Sequence, residues 1–202
     1  MIAIVDYGVG NLFSLASSLK FLGIESEIVS DEAALEKSGK IILPGVGAFG
    51  DAMDKLEKSG LSSALVREAE KGKPVLGICL GMQLLFERSF EYGEKRGLGL
   101  LKGEVRPLGE IAPSLKIPHM GWNSLRFTKK DELFKYNREG DYVYFVHSYY
   151  AAGCEDSLVA YAEYGGKVTA AVRRANVFGT QFHPEKSGAA GLKILKAFSE
   201  VK

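Results

Sequence analysis

VLGICLGMQ, residues 75–83, passes from an apolar run with the length of a buried strand, through a cysteine set between two glycines, into the opening of a helix-like segment. Strand, tight turn and helix in that order build parallel sheets, because a parallel neighbour is reached only by a crossover along the sheet's face. The same order recurs upstream. An apolar run at 2–6 precedes Leu12, Leu15, Ala16, Leu19 and Leu22 at helical spacing, and residues 25–29 and 40–43 read as further strands. Residues 61–71 read as a helix with Leu61, Ala64 and Leu65 on one face. This alternation predicts a parallel sheet covered on both faces. After about residue 97 the strand-like runs crowd together, at 103–107, 122–127, 142–146, 158–163, 168–173 and 177–182, too close for helical crossovers, so several must be antiparallel. Leu192, Leu195, Phe198 and Val201 mark a closing helix. The expected architecture is α/β: a central mixed, mostly parallel sheet flanked by helices, with additional antiparallel strands in the second half. No Pro- or Ser-rich linker divides the halves, so one domain over residues 1–202 is expected.

Composition narrows the function classes. With 26 Lys and Arg against 25 Asp and Glu, the formal net charge of +1 offers no footprint for nucleic acid or an anionic membrane. The two cysteines, Cys79 and Cys154, make no disulfide framework and no zinc-ligand spacing, which fits a reducing cytoplasm. No basic region precedes the apolar residues of MIAIVDYG, and the longest apolar stretch, around VLGICLGMQLLF, is shorter than the roughly 20 residues of a membrane span. The chain is therefore expected to be neither exported nor embedded in a membrane.

Cys79 lies in a Gly-x-nucleophile-x-Gly pattern over 77–81. At a nucleophile elbow the turn is sharp enough that flanking side chains would clash, so glycines stand there and the reactive side chain is held out above the sheet edge. A helix opening near Met82 aims its N–H groups and positive dipole end at the sulfur, and the Leu80 amide is placed to donate to an oxyanion. The pentapeptide alone fits a small buried cysteine in a Gly-rich turn equally well. A thiolate nucleophile needs a base, and the chain has three histidines, His119, His147 and His183. His183 follows the run ending at 182, with Glu185 two residues on across Pro184. A carboxylate beside an imidazole fixes its tautomer and leaves the other nitrogen to face a nucleophile. Cys79, His183 and Glu185 form a candidate triad. Two more Gly-rich turns, DYGVGN (6–11) and LPGVGAFG (43–50), follow the first and third strands, and neither has a dinucleotide loop's spacing. Parallel strands share one carboxyl rim, so both turns are expected beside Cys79, where bare N–H groups of Val46 or Gly47 can act as a second oxyanion donor.

LPGVGAFG, GICLGMQLLFERS and QFHPEKS, in that order, resemble the class I, triad-type glutamine amidotransferases. DYGVGNL, PHMGWN and YFVHSYY narrow the resemblance to the glutaminase subunits of imidazole glycerol phosphate synthase, over essentially the whole chain. The resemblance implies a flavodoxin-like amidotransferase fold and hydrolysis of glutamine through a thioester. Cys79 would attack the side-chain amide, His183 transfer protons and Glu185 orient His183. It implies an oxyanion hole from Leu80, Gly45, Val46 and Gly47, substrate contacts from Gln83, His147, Ser148 and Tyr149, and a docking face with Asn11, Trp122, Tyr144 and Lys186. It implies no cofactor and no metal. The implied partner is a (β/α)8 cyclase, bound as a heterodimer, which takes the ammonia by a sheltered path and joins it to a phosphorylated ribulosyl intermediate of histidine biosynthesis. The products are imidazole glycerol phosphate and an aminoimidazole carboxamide ribotide. Such glutaminases are weak until the synthase subunit holds its ligand, so the loop around Val46 is the element expected to rearrange.

Other readings stay open at this point. Trp122 also fits a core position, His119 is expected near the docking face with no part in the chemistry, and Cys154 is expected to be a passive thiol. A glutaminase serving another synthase shares the triad. A non-catalytic α/β module with a redox-sensing cysteine, or a cysteine peptidase, would use the elbow differently.

Overall fold

The structure, a computed structural model, describes residues 1–202. The first half alternates strand and helix: β1 (Ile2–Val5), α1 (Leu12–Phe21), β2 (Ser26–Val29), α2 (Glu32–Lys37), β3 (Lys40–Leu43), α3 (Phe49–Lys58), α4 (Leu61–Glu70), β4 (Val75–Ile78) and α5 (Leu80–Leu84). Strands then dominate: β5 (Phe86–Ser89), β6 (Lys95–Arg96), β7 (Leu101–Pro107), β8 (His119–Ser124), β9 (Arg126–Phe127), β10 (Tyr142–His147), β11 (Tyr149–Ala152), β12 (Leu158–Glu163), β13 (Lys167–Arg174) and β14 (Val177–Thr180). The helix α6 (Gly188–Ser199) closes the chain.

Eight strands form the central sheet in the order β2-β1-β3-β4-β14-β13-β12-β9. From β2 to β14 all neighbours are parallel, and from β14 outward to β9 all are antiparallel. The period-2 alternation of the strands divides the core in two. Ala3, Val5, Ile41, Leu43 and Val75 pack on one face with residues of α2, α3 and α4, while Ile2, Ile4, Ile42, Leu76 and Phe178 pack on the other with α1 and α6. Each fully buried side chain of this size contributes about 1.5–3 kcal/mol. Asn11 caps α1, its Oδ1 accepting from the Ser14 N–H at 3.4 Å, and Asp31 caps α2, accepting from Ala34 N–H at 2.9 Å. No helix is long and apolar enough to cross a membrane.

The structure differs from the sequence-based expectation in three places. The helix after Cys79 begins at Leu80 rather than near Met82, and it stops after one turn because Phe86–Ser89 leaves to pair with β7 in a second, four-stranded sheet of order β11-β7-β5-β6. The run 122–127 is two strands: β8 pairs antiparallel with β10 in a separate two-stranded ribbon, while β9 joins β12 at the edge of the central sheet. Helices α2 and α3 escaped the sequence reading: α2 buries Leu35 alone, whereas α3 carries Phe49, Ala52, Met53 and Leu56 at full helical spacing, a signal present in the sequence.

Close approach explains the two glycines at the turn after β4. A Cβ at Gly81 would overlap the Leu43 carbonyl oxygen, and one at Gly77 would lie 2.6 Å from the Gly81 oxygen and 2.7 Å from Met82 Cα and N. The turn therefore packs backbone against backbone on β3, with no room for side chains. Gly77→Ala and Gly81→Ala are expected to destabilise the protein by at least about 2–3 kcal/mol through overpacking. Gly39→Ala, where an added Cβ meets only the Met1 oxygen at 3.6 Å, is expected to stay within about 0.5 kcal/mol of wild type. Urea unfolding midpoints compare the three.

Candidate active site

The carboxyl ends of β3, β4 and β14 meet at one rim. Register sets Leu43 opposite Gly77 and Ile78 opposite Thr180, so the residues that follow each strand, Pro44-Gly45-Val46, Cys79 and Gln181-Phe182-His183, are neighbours in space. Cys79 has φ 55° and ψ −112°, a conformation that non-glycine residues avoid at a cost of about 1–3 kcal/mol. Its N–H donates to the Thr180 carbonyl at 2.7 Å, which holds the strained turn against β14. The Leu80 and Val46 N–H groups donate to no other backbone group, and both residues line the cleft beside the sulfur. Gly45 sits behind them, against Leu80, Gly81 and the Tyr7 hydroxyl.

His183 is buried, and its Nδ1 is 2.8 Å from Glu185 Oε1. The short 3-10 turn Pro184–Lys186 brings that carboxylate back beneath the ring, with Pro184 fixing the first backbone angle. Glu185 Oε2 is buried without a partner, so the carboxylate's charge is directed at the imidazole. Burial pulls the His183 pKa down, but hydrogen bonding and charge from the Cys79 sulfur and Glu185 outweigh it and raise the value to about 9. The backbone of His183 is clamped as well. Its N–H donates to the Tyr144 carbonyl at 3.0 Å, the Ser187 hydroxyl donates to the His183 carbonyl at 2.6 Å, and the Tyr144 N–H donates to Ser187 Oγ at 3.0 Å.

A cleft of about 410 Å³ opens over these groups, lined by Val46, Gly47, Cys79, Leu80, Gln83, His147, Ser148, Tyr149, His183 and Lys186 among those singled out in the sequence. Glu91, Pro118 and Val146 complete the wall. Gln83 donates from Nε2 to the Tyr149 carbonyl at 3.1 Å and to Gln181 Oε1 at 3.0 Å, so its amide protons are engaged within the protein and its oxygen is left for other partners. Gln181 Nε2 in turn donates to Cys79 Sγ at 3.7 Å, and the thiol faces the Val146 carbonyl at 3.9 Å. His147 has both ring nitrogens engaged, Nδ1 with the Tyr149 carbonyl at 2.8 Å and Nε2 with His119 Nδ1 at 3.0 Å.

Three residues of this site escaped the sequence reading. Glu91 presents the only acidic side chain of the cleft wall, its carboxylate accepting from the Phe49 N–H at 2.6 Å, with burial raising its pKa. It lies in a surface turn after β5 that no spacing rule marks. Gln181 and Ser187 flank His183 within QFHPEKS, and an amide or hydroxyl beside a catalytic histidine was the available signal. No group of three or more His, Cys, Asp or Glu is arranged to hold a metal ion. Cys154 is remote from the cleft and buried, its sulfur 3.8 Å from the Ala151 carbonyl, and burial pushes its pKa up to about 11.

The residues expected on a docking face are only partly in the cleft. Lys186 is on its rim, while Asn11 borders a small recess with Pro44, Gly45, Ile78, His183 and Glu185. Trp122 is 55% exposed and is thus no core residue; it pairs across the ribbon with Tyr144, their rings edge-to-face at 6.1 Å. Met120 on the same strand is 63% exposed.

Comparison with known proteins identifies the family. The family described as "Glutamine amidotransferase class-I" matches residues 3–200. "Imidazole glycerol phosphate synthase subunit HisH" of Caldanaerobacter subterraneus subsp. tengcongensis is 52% identical over 202 residues, covering 100% of this chain and 98% of that protein. The protein of the same name from Aquifex aeolicus is 50% identical over 199 residues, covering 96% and 94%. Among solved structures, PurLQS from Thermotoga maritima shares the fold with a TM-score of 0.75 at 24% identity, over 98% of this chain and 96% of that one. On the family match along nearly its whole length, the chain belongs to the class I glutamine amidotransferases.

Proposed function

We propose that this chain is the glutaminase subunit of an imidazole glycerol phosphate synthase, residues 1–202 acting as one amidotransferase domain in the reducing cytoplasm. The observation that carries the reading is a cleft shared by the Cys79 thiol, on a strained elbow, and the His183 imidazole, whose Nδ1 is held by the buried Glu185 carboxylate. The relatives named for that synthase subunit, about half identical over the full chain, support the choice of pathway.

The chemistry follows from the groups present. The Cys79 thiolate attacks the side-chain carbonyl carbon of glutamine, forming the S–C bond, and the carbonyl electrons collect on oxygen beside the Leu80 N–H. A second donor comes from the segment Gly45, Val46 and Gly47. The C–N bond breaks as the His183 imidazolium gives its Nε2 proton to the leaving nitrogen, which departs as ammonia. Water then adds to the thioester, His183 takes its proton, and glutamate leaves as the thiolate re-forms. Glu91 supplies the carboxylate that a substrate α-ammonium needs, and the Gln83 oxygen, Ser148 and Tyr149 the polar wall beside it. Ammonia that reaches bulk water is protonated and inert as a nucleophile, so the ammonia passes to a (β/α)8 cyclase docked on the face carrying Asn11, Trp122, Tyr144 and Lys186.

A glutaminase serving a different synthase would use the same triad, and pairing with purified cyclase separates the two: glutamine-dependent formation of imidazole glycerol phosphate is expected, and ammonia release without it would overturn the pathway assignment. Cys79→Ala and His183→Ala are each expected to lower glutamine turnover at least about 1000-fold. With the His183 pKa raised to about 9 in the substrate-free site, kcat/KM should fall as pH rises through that value, when the leaving nitrogen loses its proton donor. In Glu185→Gln one of the groups that raise His183 is gone, so the descending limb of the pH–rate profile is expected at lower pH. Trp122→Ala is expected to weaken cyclase binding about 30-fold or more, read by calorimetric titration.

A further inference from the structure

His119 and His147 are buried beside the cleft, and their protons can be assigned from their partners alone. The Tyr149 carbonyl can only accept, so His147 Nδ1 carries a proton and donates to it at 2.8 Å. His147 Nε2 is then a bare lone pair, and it accepts from His119 Nδ1–H at 3.0 Å. His119 Nε2 is bare in turn and accepts from the Asn123 side-chain N–H at 3.2 Å. Asn123 has one solution as well, because its second N–H donates to the Glu163 carbonyl at 3.0 Å and its Oδ1 accepts from the Ser124 N–H at 2.8 Å. A further proton on either ring would face a donor. Burial accordingly lowers the pKa of His119 to about 4, and that of His147, despite its bond to Tyr149, to about 3.

The chain of bonds does not stop at Tyr149. Its carbonyl also accepts from Gln83, whose amide donates to Gln181, whose amide donates to the Cys79 sulfur. At the other end the rotamer of His119 is fixed by stacking between Phe145 and Tyr164, with ring centroids 4.7 and 4.0 Å away. We propose that His119 and His147 are positioning residues for the glutamine reaction: a pair of δ-protonated imidazoles that pins the Tyr149 carbonyl and, through Gln83 and Gln181, sets the place of the Cys79 sulfur. Neither ring exchanges a proton with substrate. The role in catalysis rests on the glutaminase reading, whereas the tautomers do not.

Two measurements on the full chain test this. With histidine labelled by 15N, long-range proton–nitrogen spectra are expected to contain two rings with pyrrole-type Nδ1 and pyridine-type Nε2, unchanged between pH 6 and 8 and assigned by their loss in His119→Phe and His147→Gln. Either ring in the ε-protonated form, or titrating near 6.5, overturns the proposal. The second measurement is glutamine kinetics with the cyclase bound. His119→Phe keeps an aromatic ring in the stack but has no donor, and is expected to lower kcat/KM about 10-fold or more. His119→Asn discards the ring but returns an N–H near the Nδ1 position, and is expected to recover most of that loss. Equal losses, or a better Phe variant, would mean that His119 only packs. A wild type with both δ-protonated rings and no glutamine turnover would overturn the glutaminase reading and leave the hydrogen-bonded pair standing.

Discussion

The parallel pairing of β4 with β14 sets Ile78 opposite Thr180, and the Cys79 N–H completes the ladder by donating to the Thr180 carbonyl. Everything at the site depends on that register. A slip of one residue would invert the faces of β14, taking Phe178 away from α6 and Gln181 away from the sulfur. The register also resolves a conflict of forces, since the elbow holds Cys79 at a positive φ whose cost must be met by neighbours. The neighbours that meet it are backbone groups, β3 pressed on Gly81 and β14 bonded to Cys79, and backbone contacts cannot relax as side chains do. The thiol is thus presented from the centre of a sheet buried on both faces.

Much of this was legible in the sequence, and the reasons differ by element. The parallel half could be read because most of its strands are short, largely apolar runs separated by helical spacing, as in IAIV and KIIL. The elbow could be read because its glycines answer a steric need that no other residue satisfies. The partition of the second half into three sheets was hidden: β7, β8 and β12 look alike as alternating runs, and only tertiary pairing decides that β8 joins β10 while β12 joins β13. Glu91 was illegible for a similar reason, because a carboxylate in a turn gains meaning only from the cleft that the turn overhangs. His147 was read as a substrate contact, yet both its nitrogens are bonded within the protein.

The two-stranded ribbon gives β8 and β10 a position that neither core nor surface alone explains. Pairing sets Trp122 opposite Tyr144 and His119 opposite His147. Tyr144 holds the backbone of His183 on both sides of its peptide, through the carbonyl directly and through Ser187. His147 holds the Tyr149 carbonyl and so the cleft wall. One strand is therefore bonded to His183 directly and, through the Tyr149 carbonyl, to the amides of Gln83 and Gln181, and its partner strand presents Met120 and Trp122 to the outside.

A ribbon of this kind transmits displacement without needing to unfold. Its strands are tied to each other by a full antiparallel ladder from Tyr142↔Ser124 to His147↔His119, but it is not hydrogen-bonded strand to strand with either of the other sheets. A shift of the ribbon as a body would have to lengthen its bonds to His183, to Tyr149 and, through Asn123, to the Glu163 carbonyl of β12. In the proposed complex, a partner seated on Trp122 would act on geometry at two points of the same site: the imidazole proposed to reach the leaving nitrogen, and the carbonyl that bonds Gln83 and, through it, Gln181. The proposed oxyanion segment around Val46, which is 42% exposed, lines the same cleft and is held by neither contact. In the proposed reaction, a rearrangement there would alter where negative charge is stabilised, whereas a shift of the ribbon would alter where the thiolate and its acid stand.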